Sequence, residues 1–334
     1  MPDNTPSRRK MIATAGLGLG TSLGSSLLAA AAPPPVWSGE YWTKKGDVPL
    51  YLFRKRASAP KKGETPLPVL FLVHGSSNSS RSSFDLTVPG KGEYSLMKAF
   101  ARRGFDVWTM DHENYGKSGR TGSNSNIASG VEDLVAGIES VSRETLVKKL
   151  HLFGESSGAL RAGAYAMAHP ERVDRLIFSG FTYKGEGSTT LAERAKQVEE
   201  YRTHNRRLRD RAMIRSIFTR DKPGTSDPAV AEALADQELK FGDQVPTGTY
   251  LDMVTKLPIV DPAKVLSPVL LIRGEYDGIG TVDDLVSFFK ALPNGDRQFV
   301  IIPGMAHSVV LGLNRELFWH AMHSFLTPPK AVAT

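Results

Sequence analysis

The segment Gly154-Glu155-Ser156-Ser157-Gly158 carries the most specific chemical signal in this chain. It follows Leu150-His151-Leu152-Phe153, which reads as a short buried strand, and precedes Ala159–Ala168, which reads as a helix closed by Pro170. A serine with glycine two residues to either side, at a strand-to-helix turn, is thrust above the sheet because so tight a turn admits only small flanking residues. Ser156 meets that spacing and Ser157 does not. A plain strand-to-helix turn is the alternative reading of the same five residues. A serine hydroxyl is a weak nucleophile at neutral pH, so the rest of the fold must bring a base within hydrogen-bond reach of it.

Composition narrows the chemistry further. The chain has no cysteine, which excludes disulfides, thiolate metal sites and a cysteine nucleophile. Of its eight histidines, only His320 and His323 are closely spaced, and their place near the end of the chain suits the surface of a terminal helix better than a metal site. No metal or organic cofactor is implied. With 334 residues, 40% of them hydrophobic and 23% charged, the expectation is one large core with an inserted subdomain. No stretch after residue 40 is long and apolar enough to span a bilayer.

The formal net charge is +7, and its location is uneven. Residues 191–222 hold ten basic and five acidic side chains, while the remainder of the chain after the leader is close to neutral. Arg207, Arg211 and Arg215 recur every four residues and are expected on one helix face. That face is either a solvated basic surface or a device that steers anionic substrates or an anionic envelope surface towards the molecule. Nucleic-acid binding fits poorly, since the charge is local and no recognition fold is visible.

At the N-terminus, Ser7-Arg8-Arg9-Lys10-Met11-Ile12 precedes a mildly apolar run rich in Gly, Ala, Ser and Leu that ends at Ala29–Ala32. Paired arginines, a weak apolar region and small residues before a cleavage point read as a twin-arginine export signal. An ordinary secretory signal and a misplaced start are the alternatives. Residues 1–35 are therefore set aside as signal and spacer, with a periplasmic or secreted location expected.

Beyond residue 35, strands are predicted over Pro49–Phe53, Val69–Val73, Phe105–Met110, Leu150–Phe153, Val173–Ser179, Val269–Ile272 and Phe299–Ile302. Helices are predicted over Ser95–Arg103, from Ile127 through Ile138, and over Ala159–Ala168, Val282–Leu292 and Arg315–Phe325. Strands alternating with helices imply an α/β fold with a mostly parallel, doubly wound sheet. The alternation breaks in a charged, helix-rich stretch, so the organisation is a core in two parts, 36–182 and 263–330, with a helical cap over 183–262.

Residues 50–326 resemble the α/β-hydrolase superfamily. The resemblance is carried by Val73-His74-Gly75-Ser76, by the Ser156 turn, by Arg273-Gly274-Glu275-Tyr276-Asp277 and by Pro303-Gly304-Met305-Ala306-His307. In that family the triad runs nucleophile, acid, base along the chain, which implies Ser156, Asp277 and His307. Asp283 and Asp284 are alternative acids, although both fall where a helix should start, and His307 has a bland reading as a helix cap. The resemblance also implies an oxyanion hole formed by the backbone N–H groups of Ser76 and Ser157. His74 is read as a brace for its loop, and the polar loop Ser76–Ser83, with Arg81, as a lining of the pocket. One departure is Asp111-His112-Glu113-Asn114-Tyr115-Gly116-Lys117-Ser118: the Asp, the second Gly and the Ser of a common family pattern persist, while its Arg and first Gly do not.

The implied activity is hydrolysis of a small carboxylic ester or lactone, anionic if the basic stretch serves the site, through an acyl-serine intermediate and without a cofactor. The same triad would also serve an amidase, a carbon–carbon bond hydrolase or a perhydrolase. Serine in place of aspartate at the turn argues against dehalogenase or epoxide hydrolase chemistry. A ligand-binding protein on the same scaffold is the reading from outside enzymology.

Overall fold

A computed structural model describes residues 34–329. The expected export signal over 1–35 therefore falls almost wholly outside the described residues. Residues 35–329 form one compact unit.

Ten strands and eleven helices follow in order: β1 (Trp37–Lys45), β2 (Val48–Arg56), β3 (Val69–Val73), α1 (Ser80–Phe84), α2 (Leu96–Ala101), β4 (Asp106–Met110), α3 (Ile127–Thr145), β5 (Leu150–Glu155), α4 (Ser157–Ala168) and β6 (Val173–Ser179). An insertion then supplies α5 (Thr189–Ala195), α6 (Val198–Thr203), β7 (Arg206–Leu208), α7 (Arg211–Thr219), α8 (Pro228–Glu238), β8 (Gln244–Pro246) and α9 (Gly248–Thr255). The chain closes with β9 (Val269–Gly274), α10 (Val282–Ala291), β10 (Arg297–Ile302) and α11 (Arg315–Leu326).

Eight strands form one sheet in the order β1-β2-β4-β3-β5-β6-β9-β10. From β4 to β10 all neighbours are parallel, and β1 and β2 add an antiparallel edge. Alternate residues of the inner strands feed two apolar layers. Leu70, Leu72 and Phe153 face α2 and α11 through Phe100 and Phe318, whereas Phe71, Val73 and Leu152 face α3, α4 and α10 through Leu134, Leu160 and Phe288. Burial on both faces is what near-continuous apolar strands require.

The predicted strands and helices are all present. β1 was not anticipated: in Trp37–Lys45 exposed residues alternate with half-buried ones, and the pattern is too polar to announce an edge strand. The stretch expected as a cap holds the insertion's five helices and the two-stranded ribbon β7–β8. Ile214, Ile217, Phe218, Val230 and Leu234 join the main apolar layer, and Tyr201 and Tyr250 pack with Tyr115 of the body.

The common basic helix face does not form. Asp210 caps α7 by accepting the Met213 N–H at 2.7 Å, so the helix begins at Arg211 and Arg207 belongs to β7, paired with Val245. Among the described residues no helix is long and apolar enough to cross a membrane.

Candidate active site

β5 ends at Glu155 and α4 begins at Ser157, which leaves Ser156 alone to reverse the chain. Its backbone has φ 58° and ψ −126°, a conformation that is costly for a residue with a Cβ and persists only where the surroundings enforce it. The enforcement is close packing. A Cβ at position 154 would lie 2.5 Å from Gly158 O, and one at position 158 would lie 2.2 Å from Val73 O. Both flanking glycines are thus required by close approach, as the motif reading expected. Ser156 N–H donates to Ser179 O at 2.8 Å, which ties the turn to the end of β6.

Asp277 follows β9 and His307 follows β10, and the two meet: Asp277 Oδ1 and His307 Nδ1 are 2.9 Å apart. The His307 and Asp277 side chains are only 6% and 1% exposed. Burial on its own raises the Asp277 carboxyl, but the charge and hydrogen bond of His307, the Ile279 N–H and the Arg273 guanidinium outweigh it and hold the group below the ordinary aspartate value. Arg273 also donates to Asp277 O at 2.6 Å, and Ile279 N–H donates to Asp277 Oδ1 at 3.0 Å. The alternative acids stand away from His307. Asp284 accepts the N–H groups of Tyr183 and Lys184 at 2.8 Å each, and Asp283 sits in the first turn of α10.

Ser156 and His307 line one narrow cavity of about 40 Å³, together with Gly75, Ser76 and Glu155. Ser156 Oγ makes no hydrogen bond among the described residues, a looseness expected of such pairs before substrate binds. Gly180, next to the residue that holds the Ser156 N–H, packs against the His307 ring so closely that a Cβ there would lie 2.8 Å from Cε1. The end of β6 therefore sets the position of both side chains.

Ser76 and Ser157 adjoin each other, with their hydroxyl oxygens 2.7 Å apart. Ser157 is the first residue of α4, where a backbone N–H has no intrahelical acceptor, and the Ser76 N–H makes no hydrogen bond among the described residues. His74 is fully buried, and burial together with the neighbouring His112 and Arg161 holds its pKa well below the usual value, so its ring is neutral. Its Nε2 accepts the His112 N–H at 3.1 Å, which leaves Nδ1–H to donate to Gly75 O at 2.8 Å. These are the bonds of a loop brace.

The Ser76–Ser83 loop is held largely from the insertion. Glu238, at the end of α8, accepts the Ser79 N–H at 2.7 Å and the hydroxyls of Ser79 and Ser82. It also pairs with Arg209, and the two side chains are 1% and 3% exposed. Arg209 in turn donates to Ser77 O at 3.0 Å, Ser77 Oγ lies 2.7 Å from Tyr250 Oη, and Tyr115 Oη–H donates to Ser76 O at 2.9 Å. Ser76, Ser77, Asn78 and Ser83 line the cavity, but Arg81 turns away to Glu40 at 3.3 Å and to the Phe53 ring. The persisting Asp111, Gly116 and Ser118 build a hydrogen-bonded turn: Asp111 accepts the N–H groups of Ser80 and Lys117 at 2.8 Å each, and Ser118 Oγ donates to Asp111 O at 2.6 Å.

Several site residues escaped the motif reading. Glu155, Arg194, Ile217 and Arg220 line the cavity beside Ser156. Burial and the negative charge of Asp277 push the Glu155 carboxyl up to about 8. Only Glu155 had a sequence signal, as the variable residue before the serine. The other three lie far along the chain in the insertion, where no motif marks them.

Comparison with known proteins agrees with this architecture. The family model described as serine aminopeptidase, S33, matches residues 66–313. A 2-hydroxy-6-oxononadienedioate/2-hydroxy-6-oxononatrienedioate hydrolase from Paraburkholderia phymatum is 31% identical over 118 residues, a match covering 33% of this chain and only 35% of that protein. Among solved structures, a 2-hydroxy-6-oxo-6-phenylhexa-2,4-dienoate hydrolase from a Rhodococcus species superposes with a TM-score of 0.62 at 19% identity, covering 88% of this chain and 100% of the other. The E-2-(acetamidomethylene)succinate hydrolase gives a TM-score of 0.63 at 19% identity, covering 87% and 99%. The chain belongs to the serine aminopeptidase S33 family and has the α/β-hydrolase fold.

Proposed function

We propose that this protein cleaves a carboxylic ester or lactone through an acyl-serine intermediate, with Ser156 as nucleophile, His307 as base and Asp277 as the group that orients it. The carrying observation is the arrangement of a positive-φ serine and an aspartate-bound imidazole on one cavity. In this reading Ser156 Oγ attacks the carbonyl carbon while its proton passes to His307 Nε2. The oxyanion is held by the Ser76 and Ser157 N–H groups. As the carbon–oxygen bond breaks, His307 returns the proton to the leaving alkoxide. Water then attacks the acyl-enzyme with His307 again as base, releasing the acid and restoring Ser156. Asp277 keeps Nδ1 protonated and stabilises the imidazolium in both halves.

A fluorophosphonate probe tests the nucleophile: labelling of the wild type that disappears in Ser156→Ala supports the reading, and an unlabelled wild type overturns it. A panel of p-nitrophenyl esters, lactones and amides then tests the bond. A second reading, cleavage of a carbon–carbon bond beside a ketone by the same triad, is favoured by relatives named as hydrolases of 2-hydroxy-6-oxo acids. Turnover of such a diketone with inert esters would select it. The Arg8-Arg9 leader supports an exported protein, and retention of an Arg8→Lys, Arg9→Lys double variant in the cytoplasm is the expected outcome of cell fractionation.

A further inference from the structure

A second space of about 360 Å³ lies under the insertion and shares two lining residues, Arg194 and Arg220, with the cavity at the nucleophile. That volume lies within the range of small-ligand sites. Its walls include the rings of Tyr201 and Tyr250 and the guanidinium of Arg207.

The arginines here are not neutralised in the way their neighbours are. Arg194 lies over the Tyr250 ring at 5.1 Å, and its only polar contact among the described residues is Met253 Sδ at 3.6 Å. Burial first, and repulsion from Arg220 second, push it down to about 10, so it remains a cation at neutral pH. Arg207 stands over Tyr250 at 4.8 Å and Tyr201 at 5.8 Å, with its Nε buried and unpartnered among the described residues. Arg220 has one loose partner, Asp221, at 3.7 Å.

The acids near the space do not offset this charge. Glu193 is taken by Lys196 at 2.6 Å. Glu155, raised to about 8, is protonated at neutral pH. Asp221 alone faces three guanidiniums, and its Oδ2 has no partner among the described residues. Cations of like sign held together in a half-enclosed space repel one another, and the cost is relieved when an anion enters. A guanidinium beside an aromatic wall suits a planar carboxylate, which it meets with two parallel N–H bonds.

We propose that Arg194 and Arg220, backed by Arg207, form an anion subsite, so that the substrate carries a free carboxylate at the end remote from the bond cleaved at Ser156. The subsite rests on the acyl-serine reading for its place in the reaction but not for its existence. It makes the preferred substrate the half-ester of a dicarboxylic acid, or a lactone bearing a carboxylate.

Two measurements test it. The first compares mono-p-nitrophenyl esters of succinate through suberate with neutral p-nitrophenyl esters of equal length. The charged series is expected to show the higher kcat/KM. The charged-to-neutral ratio should fall roughly tenfold or more in Arg194→Gln and in Arg220→Gln, and less in Arg194→Lys, which keeps the charge. A ratio near one in the wild type, with the neutral esters hydrolysed, overturns the subsite and leaves the ester reading intact. The second is calorimetric titration of Ser156→Ala with glutarate and adipate, which needs no turnover. Binding that vanishes in the Ser156→Ala, Arg194→Gln double variant supports the subsite even if no ester is a substrate. Absence of binding by both diacids overturns it, as does binding unaffected by the Arg194 change. Inorganic phosphate, titrated in the same way, is expected to bind more weakly, and tighter binding than the diacids would overturn the carboxylate assignment.

Discussion

The candidate site has two walls, and they are built differently. The core wall comes from strand ends. Ser156, Asp277 and His307 lie one, three and five residues past the ends of β5, β9 and β10, and each is fixed by close packing or by hydrogen bonds to backbone. The insertion wall comes from short helices and a three-residue ribbon, and it offers arginines stacked on tyrosines. A parallel sheet can hold reacting atoms within the small tolerance that catalysis requires. Short helices packed on the core suit a different task, the selection of what enters. The core wall should therefore govern turnover and the insertion wall substrate preference.

The largest effect is expected on the core wall. Asp277→Asn keeps the shape but removes the charge that stabilises an imidazolium and the acceptor that fixes the His307 tautomer. On the proposed mechanism kcat falls roughly a thousand- to ten-thousandfold, with KM for the same ester little changed in steady-state assays. A loss confined to KM would break the division between the walls.

Next comes a buried ion pair through which the walls are joined. Glu238 and Arg209 are buried together, and both hold the loop that carries Ser76. Glu238→Ala leaves an unpaired buried guanidinium, which should lower stability by roughly 3–5 kcal/mol in urea unfolding. It also frees the Ser79 N–H and two hydroxyls, so kcat should drop although the residue lies in the insertion. Glu238→Gln, which keeps an acceptor for the loop but not the charge, should restore more of kcat than of stability. Equal recovery of both would show that the loop is set by the core alone.

The unequal legibility of the two walls in the sequence follows from the same contrast. The core wall is marked by local spacing: Gly154 and Gly158 flank Ser156 at fixed positions, the first crowded by Gly158 and Ala159 and the second by Val73 and His74 at the end of β3, and Asp277 and His307 each follow an apolar run. The strands and helices of the core were readable because their burial is regular. β1 was not, since an edge strand with one solvated side needs no apolar run. The insertion wall obeys no local rule. Arg207, Arg211 and Arg215 have perfect helical spacing, yet the Asp210 cap separates Arg207 from the others. Arg194 and Arg220 are 26 positions apart, and only the tertiary folding of the insertion brings them to one space. A count of basic residues cannot tell a neutralised arginine from a bare one, because the neutralising acids lie elsewhere in the chain.

A smaller, pH-dependent effect is expected from Glu155, on the core wall beside Asp277. Its carboxyl is held at about 8 in the folded protein by burial and by the neighbouring negative charge, against an ordinary value near 4.5 in the unfolded chain. Between those values the folded state binds the extra proton, so stability falls as pH rises through that window and levels off above about 8. Ionisation also places a second negative charge near His307 and a counter-charge near Arg194. The charged-to-neutral ester ratio should therefore decline as pH passes about 8. Glu155→Gln should flatten both profiles, and a wild-type ratio that stays constant from about pH 6.5 to about 9.5, roughly one and a half units to either side of that value, would remove Glu155 from the account.

The smallest effect is expected from the arginines most conspicuous in the sequence. Arg211 reaches Glu232 at 3.0 Å and Asp236 at 2.7 Å, and Arg215 reaches Glu232 at 2.5 Å, all on partly or largely exposed side chains. Exposed pairs of this kind contribute roughly 0–1 kcal/mol and are weakened by salt. Their field is already offset by two acids, so they cannot steer an anion as the inner arginines can. Arg211→Gln with Arg215→Gln should leave the charged-to-neutral ester ratio unchanged and shift the urea midpoint only slightly. The double variant has the same loss of formal charge as Arg194→Gln with Arg220→Gln, so the two pairs differ in place and pairing alone. A fall in the ratio for the outer pair as large as for the inner one would mean that preference follows total charge, and the distinction between neutralised and bare arginines would fail.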